Sequence, residues 1–215
     1  MATYTKSEKR RFITILSDGR FHESVPIGTE GATIREYETS DGKKGQKNEI
    51  MHRTITAKIT KVNFVAGDYG QMMELTLDDG AIISIGTALR YGTDILKRLP
   101  NVNFDEEVEL MPWSMEDGDR KKTGCVVKQN GEKVESYFEA QAGDGKWIQK
   151  NGLPKPKPEQ TKTQWRKYFM DVQAFLVEYA SENICPKLNN APQKLEDETE
   201  DEKPNDDDIA SSIPF

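Results

Sequence analysis

Short stretches of alternating apolar and polar residues, each ended by turn residues, fill the middle of the chain. Ile55, Ala57 and Ile59 alternate with polar residues, and the apolar phase then moves by one residue to Val62 and Phe64. Alternation with a period of two predicts a β-strand, and a change of phase by one residue predicts a β-bulge within it. Residues 50–138 are therefore predicted to form mainly short strands.

Further strands and one helix follow this first strand. The second and third strands are predicted from the apolar positions Met73, Leu75, Leu77, Ile83 and Ile85, on either side of the turn residues Asp78, Asp79 and Gly80. Thr87 is predicted to cap a helix that ends before Pro100. After a fourth strand, a polar loop at residues 114–123 leads to a hairpin about Asn130 and Gly131.

The resulting order is strand, strand, strand, helix, strand, strand. This order resembles the OB-fold, a five-stranded barrel, in which the helix lies between the third and fourth strands. The predicted fold class is therefore mainly β, with an OB-fold barrel at residues 50–150 as the principal domain.

The segments that flank this domain differ in composition. Residues 1–49 are predicted to be a β-rich extension, in which residues 12–16 and 20–25 form a hairpin. Residues 151–162 form a linker rich in proline and lysine. Residues 191–215 are expected to be disordered, because acidic residues dominate and aromatic residues are absent from all but the last position.

An amphipathic helix is predicted within residues 163–190. Its apolar stripe recurs at helical spacing and consists of Trp165, Phe169, Val172, Leu176 and Tyr179. A stripe of this size has to be covered by other apolar surface. Two alternatives stay open at this point: the helix docks on the barrel, or it pairs with a second subunit.

The net charge of −7 is concentrated near the C-terminus. Nine acidic residues and one lysine lie from Glu196 onward, which leaves 28 acidic and 29 basic residues in the rest of the 215-residue chain. The body is therefore close to neutral. A nucleic-acid partner is permitted if the cations of the body gather on one face.

Several functional classes find no support in the residue pattern. Cys125 and Cys185 lie far apart, and His22 and His52 lack metal-ligand spacing, so no metal or other cofactor is expected. No phosphate loop, zinc-protease motif or serine-hydrolase motif occurs, so the chain is not predicted to be an enzyme. The polar start and the lack of a long apolar run predict a cytoplasmic protein with no membrane partner.

The acidic C-terminal segment ends on apolar residues. The candidate partner-binding residues are Asp206, Asp207, Asp208, Ile209, Ile213, Pro214 and Phe215. Carboxylates followed by a terminal aromatic ring suit capture in an apolar pocket of a partner protein with arginine or lysine at its rim. This ending resembles the acidic tails of bacterial and phage single-stranded DNA-binding proteins, which end in Asp-Asp-Asp-Ile-Pro-Phe. Here Ala210, Ser211 and Ser212 are inserted between the two halves.

The resemblance implies a protein that coats single-stranded DNA in replication, recombination and repair, and that recruits other proteins through its tail. It also implies a phage origin, and hence the cytoplasm of a bacterial host. Two alternatives from other classes stay open. One is an OB-like adaptor of replication proteins that does not bind DNA, and the other is a metal-dependent nuclease built from scattered carboxylates. Homo-oligomerisation is also left open.

Binding to single strands without sequence preference needs cations along the phosphates and aromatic faces for the bases. Candidate cations are Lys43, Lys44, Lys47, Arg53, Lys58, Lys61, Arg120, Lys121, Lys122 and Lys128. Candidate stacking residues are Tyr69, Trp113, Tyr137 and Trp147, with Tyr37 and Tyr91 as further rings.

Two of these predictions are preferred over the rest. Tyr69 is the preferred ring, because it lies between glycine-flanked turn residues at a predicted hairpin tip, where a large side chain has little core to fill. Residues 120–122 are the preferred phosphate contact, because the loop between strands four and five of an OB-fold usually contacts the ligand. Residues 41–47 are predicted to form a second basic loop, which is flexible by composition.

Overall fold

The computed structural model describes residues 10–38, 42–67, 70–118, 120–143 and 145–189, and the structural statements below concern these residues. Its strands are β1 (Phe12–Ile15), β2 (Phe21–Ser24), β3 (Thr33–Glu38), β4 (Lys44–His52), β5 (Ile55–Ala57), β6 (Ile59–Gly67), β7 (Gly70–Leu77), β8 (Ile82–Gly86), β9 (Val108–Asp117), β10 (Arg120–Gln129), β11 (Glu132–Lys133), β12 (Glu139–Gln141) and β13 (Trp147–Gln149). Its helices are α1 (Arg90–Leu96), α2 (Lys162–Asn183) and α3 (Cys185–Asn189), with a short 3-10 helix at Leu99–Asn101. The prediction of a mainly β chain with a C-terminal helix is confirmed.

Most strands belong to two sheets. The larger sheet has the order β3-β4-β2-β1-β8-β7-β6, and it is mixed because β1 and β8 run parallel. The second sheet has the order β11-β10-β9-β5, and β12 pairs with β13 in a separate ribbon. Lys58 alone separates β5 of the second sheet from β6 of the larger one. One nearly continuous extended segment therefore joins the two sheets.

The predicted bulge lies at the start of β6. The register between β6 and β7 shifts between Ile59 and Lys61, where the apolar phase of the sequence changes. The Thr60 hydroxyl donates to the Thr76 carbonyl oxygen at 3.2 Å, which gives the bulged residue a partner on β7. The hairpin at Asn130 and Gly131 is also confirmed. These two residues have φ of 54° and 80°, the left-handed pair that a tight two-residue hairpin turn requires.

The N-terminal strands β1 and β2 form the predicted hairpin, and this hairpin lies inside the larger sheet. Ile13 of β1 stands directly beside Ile83 of β8, and both side chains are almost fully buried. The N-terminal segment therefore shares a core with the meander of β6, β7 and β8. As a result β8 pairs with β1 and β7, and not with a strand of the second sheet.

Helix α1 packs against β10 and gives one backbone N–H of that strand a partner. The Asp94 carboxylate accepts the backbone N–H of Cys125 at 3.1 Å. The prediction that Thr87 caps this helix is wrong. Leu89 occupies the N-cap position without a side-chain bond, and the buried Thr87 hydroxyl instead donates to the Gln71 carbonyl oxygen at 2.9 Å. Thr87 thus links the segment before α1 to β7.

Helix α2 begins with a capping box, in which Thr161 accepts from the backbone N–H of Gln164 and the Gln164 side chain accepts from Thr161. Its second half docks on the body through Val172, Leu176, Val177, Ala180 and the rings of Phe175 and Tyr179, which contact Phe138. Docking on the body is therefore confirmed for this half of the predicted stripe. The first half differs, because Trp165 and Phe169 stay 39% and 59% exposed. Within the described ranges, no helix is long and apolar enough to cross a membrane.

Candidate nucleic-acid interface

The ring of Trp113 lies over a glycine of the neighbouring strand. Trp113 on β9 and Gly124 on β10 are directly opposite in the antiparallel register. A β-carbon at Gly124 would lie 2.6 Å from ring atom Cζ2 of Trp113, so only glycine leaves room for the ring in this position. Trp113 is nevertheless 39% exposed. The ring is thus held in place while part of its surface contacts solvent.

The turn between β1 and β2 packs closely against the backbone of Trp113 and Ser114. Gly19 has a φ of 75°, and a β-carbon there would lie 2.5 Å from the Ser114 nitrogen.

Tyr91 of α1 is 4% exposed, and its hydroxyl is 3.4 Å from the Leu16 carbonyl oxygen, to which it donates. Burial raises the pKa of Tyr91. Tyr91 therefore belongs to the core and offers no face for stacking, although the sequence leaves that role open.

The outer part of the β9–β10 hairpin, residues 113–124, is called the Trp113 arm below. The sequence predicts a polar loop at residues 114–123, and this prediction is wrong, because a regular antiparallel ladder continues from Ser114 and Thr123 to Asp117 and Arg120. Trp113 and Met115 alternate with Ser114 and Glu116 on β9, but residues 120–123 of β10 are all polar, so the second strand of the arm lacks the alternation that marks a half-buried strand. The turn lies at Gly118, with a φ of 60°.

Cations of the Trp113 arm stand opposite acidic or apolar residues of β9. Arg120 pairs in register with Asp117, Lys121 with Glu116, and Lys122 with Met115. The Lys122 Nζ is 2.6 Å from the Asp117 carboxylate, so its charge is already compensated in part. Arg120 and Lys121 are exposed and form no ion pair within the described residues. These two, rather than all three, are the available phosphate contacts of the arm.

Strand β3 and residues 44–49 of β4 form a second projecting hairpin, called the Tyr37 arm. Tyr37 stands opposite Gly45, where a β-carbon would lie 2.6 Å from the tyrosine ring. The guanidinium carbon of Arg35 and the Nζ of Lys47 lie 5.9 and 5.4 Å from the ring centroid, within cation–π range. The predicted flexible loop at residues 41–47 is therefore wrong from Lys44 onward, because Lys44 and Lys47 belong to β4.

A buried polar cluster anchors the Tyr37 arm to the sheet. The Glu49 carboxylate, 3% exposed, accepts two bonds from Arg35 at 2.8 Å and lies 2.9 Å from Nδ1 of His22. The Nε2 of His22 faces the Asp18 carboxylate at 3.1 Å. The bonds from Arg35 hold the pKa of Glu49 below its usual range. The buried Glu49 carboxylate therefore has a guanidinium and an imidazole beside it.

A second ion pair involves Glu23, the residue directly after His22 on β2. Glu23 is 6% exposed and accepts from Arg11 at 2.7 Å and from His52 at 3.1 Å. The hydrogen bond from Arg11 lowers the pKa of the Glu23 carboxyl. Sequence inspection missed both clusters, because the paired residues come from separate strands. The only local signal is that glutamate and histidine stand next to each other in β2.

The remaining candidate cations are distributed around the body. Arg53 is exposed between β4 and β5, and Lys43 is exposed just before β4. Lys58 and Lys61 line a cavity of about 620 Å³ beside α3, together with Lys187, Phe104 and Leu188. Lys128 lies 4.0 Å from the Glu109 carboxylate. The described contacts therefore bring Lys58 and Lys61 together, but they do not join these lysines to the Trp113 arm.

The other candidate rings fall into three groups. Tyr137 is half-buried and packs against Phe138 and Tyr179, with centroids 5.1 and 5.8 Å apart, so part of its ring is already covered. Trp147 on β13 is 56% exposed and stays a candidate. Tyr69, the preferred ring, lies outside the described residues, and so does the whole candidate partner-binding segment at residues 206–215.

Comparisons with family models, with curated proteins and with solved structures find no match for this chain. The function is therefore inferred from its own residues.

Proposed function

We propose that this protein binds single-stranded DNA without sequence preference, coats and protects it, and is not an enzyme. The observation that carries the proposal is the Trp113 arm, where a partly exposed ring is held over Gly124 and the cations Arg120 and Lys121 lie further along the same hairpin, with Arg120 on the face of the ring. Bases expose their faces only in single strands, and each base stacked on an aromatic ring contributes about 1–3 kcal/mol. Phosphates would follow the cations of the arm.

An OB-like arrangement of β5 to β10 and α1 is part of this proposal. Two observations support it. The order along the chain is three strands, a helix and two strands, and the first extended segment divides between β9 in one sheet and β7 in the other. In an OB-fold, the face of strands two and three and the loops after strands one and four contact the ligand. By this correspondence the Trp113 arm is the second of these loops, lengthened into a hairpin.

The proposal includes recruitment of replication, recombination or repair proteins through residues 206–215, as the resemblance of the tail implies. A phage-encoded protein acting in a bacterial host fits the same resemblance. The test is retrieval of purified candidate partners by the full chain and by its Phe215→Ala variant. The substitution removes the terminal ring and leaves the acidic charge, so retrieval should be lost while DNA binding stays. Equal retrieval by both proteins would reduce the tail to a spacer.

The deciding experiment is a titration of the full chain with oligo-dT and with a duplex of equal length, at two salt concentrations, with and without magnesium. We expect tighter binding to the single strand, an affinity that falls steeply with salt because counterions are released, and no cleavage. Equal affinity for both substrates, or an affinity that ignores salt, would contradict the proposal. Absence of binding favours an adaptor, and magnesium-dependent cleavage favours a nuclease.

A further inference from the structure

The first half of α2 carries an aromatic surface that the body does not cover. Trp165 and Phe169 stack on each other, with ring centroids 5.7 Å apart and an angle of 27° between the ring planes. They stay 39% and 59% exposed, whereas Leu176, seven residues after Phe169, is 1% exposed. The stripe of α2 is therefore buried only in its second half. Its first half presents two rings to solvent.

Two cations flank these rings, since Lys162 and Arg166 each lie three residues before one of them, whereas Lys167 is two residues from both and lies on the far side of the helix. Lys162, Arg166 and Lys167 are exposed, and none of them forms an ion pair within the described residues. Residues 150–170 contain six lysines and arginines and a single acid, Glu159, in a chain where acids outnumber cations by 37 to 30. Aromatic faces among uncompensated cations suit an anionic ligand that itself contains flat rings.

The segment that follows β13 contacts the second half of α2. A β-carbon at Gly152, just after β13, would lie 3.4 Å from the Phe175 ring. This contact joins the segment to α2, and Trp147 on β13 is a further exposed ring.

We propose that Trp165, Phe169 and the cations Lys162 and Arg166, together called the Trp165 platform, form a second contact for single-stranded DNA. Bases would stack on the two rings, and phosphates would lie along the two cations. The inference rests on the proposed function, since one strand would occupy both this platform and the Trp113 arm. Rings on a convex helix surface suit separate bases better than the apolar end of a peptide, which needs an enclosing pocket.

The first test compares the full chain with its Trp165→Ala/Phe169→Ala variant. The ligands are oligo-dT of about 8 and about 30 nucleotides, chosen because one binding module covers about 4–16 nucleotides. The variant should lose roughly fivefold or more in affinity for the longer strand, and less than about twofold for the shorter one, which the Trp113 arm still holds. Met170→Ala is the matched control, because Met170 is 67% exposed on the same helix but has no ring.

The second test uses the cations. A Lys162→Gln/Arg166→Gln variant should lower the slope of log affinity against log salt by about 1.4 for the longer strand, at about 0.7 for each phosphate contact. The ring variant should leave this slope unchanged. Ultraviolet cross-linking of oligo-dT to the wild-type chain, followed by peptide mapping, should label the peptide that contains Trp165.

The outcomes separate this inference from the function on which it rests. If the ring variant unfolds at the wild-type temperature and binds the longer strand with wild-type affinity, the platform is wrong and the proposed function stands. If the wild-type chain binds no single strand, both fail. If the ring variant binds DNA normally but sediments differently, the rings contact a second copy of the chain. If it binds DNA normally but loses affinity for a peptide of residues 196–215, the rings contact the tail. If the ring variant does not fold, the cation variant and the cross-link decide.

Discussion

The Tyr37 arm and the Trp113 arm both place an aromatic ring over a glycine of the neighbouring strand, but they surround that ring differently. Arg35 and Lys47 lie within cation–π distance of Tyr37, so cations of the same arm already contact this ring. Within the described residues no cation lies over Trp113, and Arg120 and Lys121 extend from its arm without ion pairs. The same pairing of ring and glycine therefore stabilises one arm and leaves the other open to a ligand.

The two arms also differ in how they are anchored. Glu49 of the Tyr37 arm binds Arg35 within the arm and His22 of β2 outside it, whereas the Trp113 arm is fixed by close backbone packing against Gly19. Loss of the charged cluster should therefore affect the fold, and loss of the Trp113 ring should affect binding. The four predictions below test this division.

The largest effect is expected from Glu49→Ala, which leaves Arg35 and His22 without their buried partner. Removing one member of a buried ion pair typically costs about 3–5 kcal/mol, and the partial exposure of Arg35 places the expected loss near the lower end. Urea denaturation measures the free energy of unfolding. The matched control is Glu36→Ala on the exposed face of the same arm, which should change it little. Equal losses would show that the cluster does not anchor the arm.

Trp113→Ala should weaken binding to oligo-dT by about 1–3 kcal/mol, because one stacked base loses its ring. Tyr37→Ala should have a smaller effect on binding, since cations of its own arm already surround that ring. Fluorescence anisotropy measures both affinities, and thermal unfolding shows whether each variant is folded. A larger binding loss for Tyr37→Ala would reverse the roles assigned to the two arms.

Acid should destabilise the protein through Glu49 and Glu23. Both carboxyls have pKa values below the usual range in the folded protein, with hydrogen bonds from Arg35 and Arg11 as the main causes. A lowered folded pKa contributes stability that is present above the unfolded pKa and is lost as pH falls through the folded value. The unfolding temperature should therefore drop below about pH 4.5. Glu49→Ala should reduce this drop. An equally large drop in that variant would contradict the role given to Glu49.

The smallest effect concerns the cations of the Trp113 arm. Arg120→Ala/Lys121→Ala should lower the slope of log affinity against log salt by about 1.4, whereas Lys122→Ala should lower it by less than about 0.7. The reason is that Asp117 already lies 2.6 Å from the Lys122 amine. Titrations of oligo-dT at several salt concentrations measure the slopes. A single residue with the same effect as the pair would show that the ion pair does not hold in solution.

The sequence predicted the elements whose signals are local. The bulge near Thr60, the turn at Asn130 and Gly131 and the extent of α2 depend on the period of the apolar residues and on backbone preferences. The extension of β9 and β10 into an arm was missed, because residues 120–123 on its second strand are all polar and show no alternation. The cap assigned to Thr87 failed because a carbonyl oxygen on β7 binds its hydroxyl instead.

The sequence identified candidate site residues by their type, but it did not show which of these side chains are exposed. Trp113, Arg120 and Lys121 were identified, whereas Tyr137 was included although it lies in a cluster with Phe138 and Tyr179. Exposure depends on which distant residues pack on a ring, and one sequence holds no direct signal for this. The buried cluster of His22 and Glu49 escaped notice for the same reason, since its members lie 27 residues apart.

The sequence by itself determined the mainly β character, the C-terminal helix and the separation of a nearly neutral body from an acidic tail. These properties follow from apolar periodicity, turn residues and composition, which act between neighbours along the chain. Only the tertiary structure decided that β1 pairs with β8, that Lys122 is compensated while Lys121 is not, and that Trp113 and Trp165 stay exposed while Phe138 is buried. The physical reason is that burial and charge pairing are set by contacts between segments that are distant in sequence.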